Sequence, residues 1–401
     1  MGTIAIPTRS HRRLRRRSVV ALSLLAVLGL GLTACFPPAE PGAPILMKGV
    51  SVDHLSKPWD IAFLPTGLMV YTENDSGLIS ARFSDTDTHH VLGSVPANEM
   101  LDPTGEGGLM GIAIDPNWST NHRAYVCYSS DAGPTPDNRV ASFTLDAGSP
   151  TPISHWVPII TGIPHNTFHN GCRVRFAPGT DQLFVSTGDA GQATAPQDDN
   201  SLGGKILRVQ VTDDGTKAIP YPGNPGGSTP FLWYTKGHRN PQGLAFRPGT
   251  TQVFDDEHGP DVNDEVNLLA NGGNAGWNPN NGAGGYDQSQ PMTFVGASIQ
   301  PTWQSGGVTV APSGSTFLTG SQWRNWNGAL VVACLDGSPD VGQRLLVMHV
   351  SADGKSLVGP PVTALALGVR LRAAVEGPDG HLYIATDGDA GTGQIWRVDA
   401  L

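Results

Sequence analysis

A chain of 401 residues can bury a large core, and its composition points to strands and turns: charged residues make up only 15%, while Gly (51) and Pro (33) both exceed average usage. The net charge of −10 argues against nucleic acid and anionic lipid surfaces as partners. Apolar runs such as Leu330-Val331-Val332-Ala333 recur throughout and exclude a disordered chain.

The first 34 residues read as an export signal. Arg9, Arg12, Arg13, Arg15, Arg16 and Arg17 form a basic region, and an apolar stretch from Val19 to Ala34 follows, short for a membrane span. It ends at Leu32-Thr33-Ala34-Cys35, which resembles a bacterial lipobox, so Cys35 is expected to carry lipid and to become the new N-terminus. A plain secretory signal is the alternative, and the arginines also fit twin-arginine export. Residues 35–50 are expected to be a tether, and 51–401 a single folded domain. The expectation is an exported cell-envelope protein that touches the membrane through its lipid alone. Removal of the six arginines takes the charge from −10 to −16. Cys127, Cys172 and Cys334 remain, allowing one disulfide and leaving at least one thiol; core packing is the expected role of Cys127 and Cys334.

Beyond the tether one pattern recurs: an apolar strand, a Pro/Gly turn and a second apolar strand. It runs from Ile61 through Pro65-Thr66-Gly67 to Tyr71, and from Val174 through Pro178-Gly179 to Ser186. It returns at Leu244 through Pro248-Gly249 to Phe254, and at Val375 through Pro378-Asp379-Gly380 to Ala385. Weaker copies start at Gly111 and Val310. Six hairpins at regular spacing predict an all-β fold, a six-bladed β-propeller, with chemistry on loops around the central channel.

Four loop clusters could carry that chemistry. His169-Asn170-Gly171-Cys172-Arg173 enters one hairpin and Ser186-Thr187-Gly188-Asp189 leaves it, so Asp189 returns beside His169; a carboxylate against an imidazole makes a general base. Gly237-His238-Arg239-Asn240-Pro241-Gln242-Gly243 suggests a polar ligand contact, or else a rigid turn with a satisfied Arg. Asp256-Glu257-His258-Gly259-Pro260 and Asp261-Val262-Asn263-Asp264-Glu265 supply the oxygens calcium prefers, although solvated acids would read the same. Arg370-Leu371-Arg372 places two guanidinium groups on one strand face, where they could hold a polycarboxylate.

Together these clusters resemble the soluble-type glucose and aldose sugar dehydrogenases that depend on pyrroloquinoline quinone (PQQ). The resemblance rests on Gly237 to Phe246, on Glu257-His258-Gly259-Pro260 with Asp264 to Leu268 and Gly272-Gly273-Asn274, and on Gly105 to Gly111 before Asp115-Pro116. It implies oxidation of an aldose at C1 to a lactone, with PQQ and calcium as cofactors and an external electron acceptor. His169 would be the base, Asp189 its orienting partner and Arg239 the stabiliser of charge on the quinone, with Glu106 near the sugar. Asn240, Thr309, Arg370 and Arg372 would hold PQQ. The carbonyls of Gly259 and Pro260 would bind one calcium, and Glu265, with Asp264 and the Ala275 carbonyl, a second. Three positions depart from the resemblance: Asp336 stands where the glucose-dehydrogenase branch has a cofactor-binding Lys, Phe168 where that branch has an acid, and Cys172 where a second Gly is common. Asp336 leaves open a second reading, a calcium-binding propeller that has lost PQQ and binds carbohydrate.

Overall fold

The Pro/Gly turns are local enough to form by themselves. Gly67, Gly179, Gly249 and Gly380 all have φ between 72° and 86°, the left-handed region that glycine enters without a Cβ clash. Four hairpins close on these turns and two on connections that contain Trp118–Asn121 or Ser321–Trp326, and all six are antiparallel: Pro58–Phe63 with Met69–Glu73, Leu109–Ile114 with Arg123–Ser130, and Gly171–Phe176 with Leu183–Thr187. Pro241–Phe246 with Val253–Glu257, Pro312–Phe317 with Leu330–Cys334, and Leu371–Glu376 with Leu382–Thr386 complete the set. In the computed structural model each hairpin seeds one sheet of four or five strands, and among the described residues there are six such sheets. The described residues are 2, 34–36, 40–101, 103–280, 282, 285–337, 342–389 and 391–401.

The first strands of the six sheets pack in sequence, and Leu371–Glu376 packs back on Pro58–Phe63, so the ring closes. This is the expected six-bladed propeller. Closure is sealed by pairing near both ends of the fold: Leu46–Leu55 lies beside Gly393–Ala400 in the sixth blade. The tether expected over 35–50 is thus corrected. Its last five residues belong to the closing strand, and Ala34–Phe36 pairs onto that strand in turn. The chain divides into units of residues 1–31 and 32–401. The expected export signal falls, apart from Gly2 and Ala34, outside the described residues.

The apolar core sits between neighbouring blades. Met110, Tyr125 and Val140 from blade 2 pack against Val174, Val185 and Leu207 from blade 3, all fully or almost fully buried. Each such side chain contributes roughly 1.5–3 kcal/mol on burial. Cys127 and Cys172 form a disulfide across this interface, with Cα atoms 5.5 Å apart. The packing role expected of Cys127 is therefore corrected, because the neighbouring blade brings a second thiol within bonding distance; Cys334 is a buried free thiol. The bridge closes a loop of 45 residues. Cys127→Ala is expected to lower unfolding stability by about 2–4 kcal/mol, read as a fall in the urea midpoint under oxidising conditions and no difference after reduction.

Candidate active site

A single rule gathers the polar residues at one rim. Segments entering the first strand of a hairpin and segments leaving its second strand lie side by side, because antiparallel pairing returns the chain to its starting edge. Glu106, His169, Arg239, Thr309 and Arg370 lie before first strands, while Asp189, His258, Asp336 and Asp387 follow second strands. Most of them line a cleft of about 320 Å³ that includes Glu106, His169, Arg239, His258, Asp336 and Arg372. A second lobe of about 280 Å³ shares Glu106, Arg370 and Arg372 and adds Lys57, Trp59 and Asp387.

His169 is held from both sides. Its Nδ1 lies 2.8 Å from Asp189 Oδ1, and its backbone N–H donates to Glu106 Oε2 at 2.9 Å. Asp189 is fully buried, and Oδ1 also accepts the Gly191 N–H at 2.8 Å. Its Oδ2 accepts from Trp277 Nε1 and from the Tyr286 hydroxyl, both at 2.7 Å. A carboxylate that can only accept fixes the proton on Nδ1 and leaves Nε2 as the basic nitrogen. The backbone is strained here, since the non-glycine residues His169 and Cys172 have φ of 58° and 71°. A Cβ on Gly188 would stand 1.9 Å from the His169 carbonyl oxygen, so glycine lets the two loops touch.

Arg239 donates to the His258 carbonyl at 3.1 Å and to Gln288 Oε1 at 2.7 Å, while its Nε is buried with no partner among the described residues. His258 Nε2 is likewise buried without a partner. Burial, then the Arg239 and Arg372 cations, hold the His258 imidazole well below its usual pKa, so it is neutral. Asn240 Oδ1 accepts the Gly171 N–H at 3.1 Å, and its amide donates to Glu106 Oε2 at 3.3 Å.

A model of the glucose/sorbosone dehydrogenase family matches residues 55–397. The chain belongs to this family. An uncharacterised protein of Synechocystis sp. is 31% identical over 369 residues, covering 87% of this chain and 85% of that one. The aldose sugar dehydrogenase of Escherichia coli is 28% identical over 375 residues, covering 89% and 94%. The solved structure of the PQQ-bound aldose sugar dehydrogenase of Streptomyces coelicolor superposes with a TM-score of 0.70 at 29% identity, over 91% of this chain and 100% of that one.

In this family member several expected site residues have other work. Arg370 and Arg372 do share a face, but both reach Asp387: Arg370 Nε at 2.9 Å, Arg372 Nη2 at 2.8 Å and Nε at 3.0 Å. Burial alone would raise the Asp387 pKa; the two guanidinium groups outweigh it and hold the acid at about 2. Thr309 lines the cleft, yet its hydroxyl donates to Asp264 Oδ2 at 2.9 Å. Asp264 also accepts the N–H groups of Gly259, Val310 and Ala311 at 2.8, 2.5 and 2.9 Å. Oδ2 takes three of these four bonds and Oδ1 one, so Asp264 organises the loops while Oδ1 keeps an acceptor position. Glu265 is different: Oε1 accepts from Thr293 and Gln304, but Oε2 is buried with no donor among the described residues. Gly259 and Pro260 line the cleft beside Arg239, and Ala275 is buried in the interface between blades 3 and 4.

The left-handed φ of Cys172 explains why glycine suits that position. Phe168 packs edge-on against the His169 ring at 4.8 Å between centroids, an apolar wall beside the imidazole. Trp277, Tyr286 and Asp387 escaped the sequence reading. Trp277 and Tyr286 come from the connection between Glu265–Leu268 and Pro301–Gln304, where no strand period marks them. Asp387 could have been found by the hairpin rule that placed Asp189.

Proposed function

We propose that this chain oxidises aldose sugars at C1 to lactones with PQQ and calcium, and that it does so outside the cytoplasm as a lipoprotein anchored through Cys35. The observation that carries the reading is the His169–Asp189 pair: a buried carboxylate orients the imidazole of a residue that lines the cleft. His169 Nε2 accepts the proton of the C1 hydroxyl, and Asp189 stabilises the imidazolium that forms. PQQ, when bound, supplies the quinone carbonyl that takes up the hydride from C1, and an external acceptor later removes the two electrons.

The residues present fit a planar tricarboxylate. Arg239, Arg370 and Arg372 border the cleft, and the unpartnered Arg239 Nε and His258 Nε2 are two buried polar atoms without partners beside it. Lys57 in the adjoining lobe adds a cation close to Arg370 and Arg372, although it is paired with Asp75 at 3.0 Å. Gly259 and Pro260 would offer carbonyls to one calcium. Glu265 Oε2, an acceptor without a donor among the described residues, supports the second calcium, to which the Ala275 carbonyl would add an oxygen. Asn240 and Glu106 hold the His169 loop in place from the neighbouring blades.

Asp336 lines the same cleft, and its charge favours the second reading, a carbohydrate-binding propeller without PQQ. The deciding experiment uses chelator-treated protein given calcium and PQQ, with dye reduction followed across a panel of aldoses. Sugar-dependent turnover that requires PQQ is the expected result. A titration in which quinone absorbance shows no binding would sink the redox reading and leave the binding module.

A further inference from the structure

Behind the Arg239 loop, between blades 3 and 4, lies a polar cluster of which the proposed chemistry uses Glu265 alone. Alternation along Val253–Glu257 puts Asp255 and Glu257 on one face, and the neighbouring strand Glu265–Leu268 turns Glu265 and Asn267 the same way. The register sets Glu257 directly opposite Glu265, and Asp255 opposite Asn267. His238 comes in from the loop after blade 3. All five side chains are at most 1% exposed. Two carboxylates facing each other across a strand pair repel, and burial magnifies the cost.

Donors are missing where they are needed. Both carboxylate oxygens of Asp255 lack a hydrogen-bond partner among the described residues, and so does Asn267 Oδ1, which is no part of the acidic set. The Asn267 amide donates to Glu257 Oε1 at 3.0 Å, so the side chain is oriented and its oxygen is left over. His238 Nε2 lies 2.9 Å from the Thr235 hydroxyl, which can hold the proton on that nitrogen. Nδ1 lies 3.1 Å from Glu257 Oε1 and 3.5 Å from Asp255 Oδ2, contacts it makes as a donor until a cation takes the place of its proton. Ligand atoms about 2.1 Å from a common ion lie roughly 3.0–3.4 Å apart in octahedral or tetrahedral geometry, close to these separations. One atom from each of the three side chains fits within 4.8 Å of the others.

We propose that His238 Nδ1, Asp255 and Glu257 hold a divalent first-row metal ion of the manganese or zinc type, with Asn267 Oδ1 as a further oxygen donor. The imidazole sets this site apart from the calcium proposed at Glu265, since calcium takes oxygen ligands and imidazole suits the transition ions. The ion's two charges offset three buried acids that face one imidazole. It ties the Thr235–His238 segment of blade 3 to the strands of blade 4, and so fixes Arg239, whose backbone N–H donates to Glu257 Oε2 at 2.7 Å.

The test uses the full chain, stripped with a chelator and titrated with manganese, and reads pulsed electron paramagnetic resonance. Expected is a bound ion coupled to an imidazole nitrogen, with affinity about 10-fold or more weaker in Asp255→Asn. Thr235→Val, which removes only the hydroxyl holding the ring, should weaken it in the same direction. Glu265→Gln should keep the nitrogen-coupled ion, and that outcome separates this site from the calcium. Absence of nitrogen coupling in the parent chain, or coupling that persists unchanged in Asp255→Asn, overturns the proposal and leaves His238 as a protonated counter-ion to the acids. The readout involves neither PQQ nor sugar, so it stands or falls apart from the dehydrogenase reading.

Discussion

Replacing His169 with alanine is expected to lower sugar-dependent kcat/KM by about 10²- to 10⁴-fold in protein loaded with PQQ and calcium, while a PQQ titration still saturates. The size follows from the proton. Without a base, the C1 hydroxyl must shed its proton to water as the hydride leaves, and the cleft has no second imidazole free to replace His169. His258 borders the same space, but burial and the Arg239 and Arg372 cations suppress its protonated form, so it is a poor proton acceptor. Asp189→Asn should fall in the same range for a different reason. An amide nitrogen facing His169 Nδ1 forces that atom to accept, which moves the ring proton to Nε2 and removes the basic lone pair. The amide also cannot accept from Trp277, Tyr286 and Gly191 together. Stopped-flow reduction of the loaded protein by an aldose separates the cases. Loss of the reductive phase in both variants supports the pair as the base; near-parental rates in His169→Ala would remove His169 from the mechanism.

The parts of this molecule that the sequence revealed are those built by short-range rules. Period-two apolar runs announced all six hairpins, four of them clearly, because a strand pair with a Pro/Gly turn and a left-handed glycine at its tip is a local object. His169 with Asp189 was legible for the same reason: one hairpin brings both to its open edge. Legibility ended where a residue's partner lies in another blade. Arg370 and Arg372 were correctly placed on one face, but composition does not say that Asp387 already occupies both. Asp264 read as a calcium ligand because it is an acid in a Gly-rich acidic loop; that it also accepts N–H groups from two loops is something no sequence spacing encodes. The closing strand Leu46–Leu55 hid behind the Pro-rich segment before it, since its pairing partner lies some 350 residues away.

Asp60→Asn is expected to cost about 3–5 kcal/mol of unfolding stability, the largest single effect outside the chemistry. Asp60 and Arg173 are both fully buried in the central channel, with Arg173 Nη1 2.7 Å from Asp60 Oδ1. Arg175 adds two contacts to the same carboxylate, each at 2.7 Å. Burial alone would raise the Asp60 pKa, yet Arg173 and Arg175 outweigh it and hold it below its usual value. The pair spans the ring: Arg173 donates to the Gln242 and Arg372 carbonyls and lies 4.0 Å over the Trp59 ring, while Arg175 donates to the Ile112 carbonyl. Blade 5 takes part by yielding room, because a Cβ on Gly314 would stand 3.0 Å from Arg173 Nη2. Neutralising Asp60 leaves two guanidinium groups buried or half-buried without their anion, in contact with every blade. Pairing Asp60→Asn with Arg173→Met should recover part of the loss, since the uncompensated charge leaves with it. The sign of the pH effect follows from the same pair. Asp60's folded pKa lies below its unfolded value near 3.9, so its contribution is complete above about pH 4 and fades as the pH falls further. Urea midpoints of the parent and Asp60→Asn should therefore differ most at neutral pH and converge in acid. A variant as stable as the parent at pH 7 would show that the blades close on apolar contacts alone.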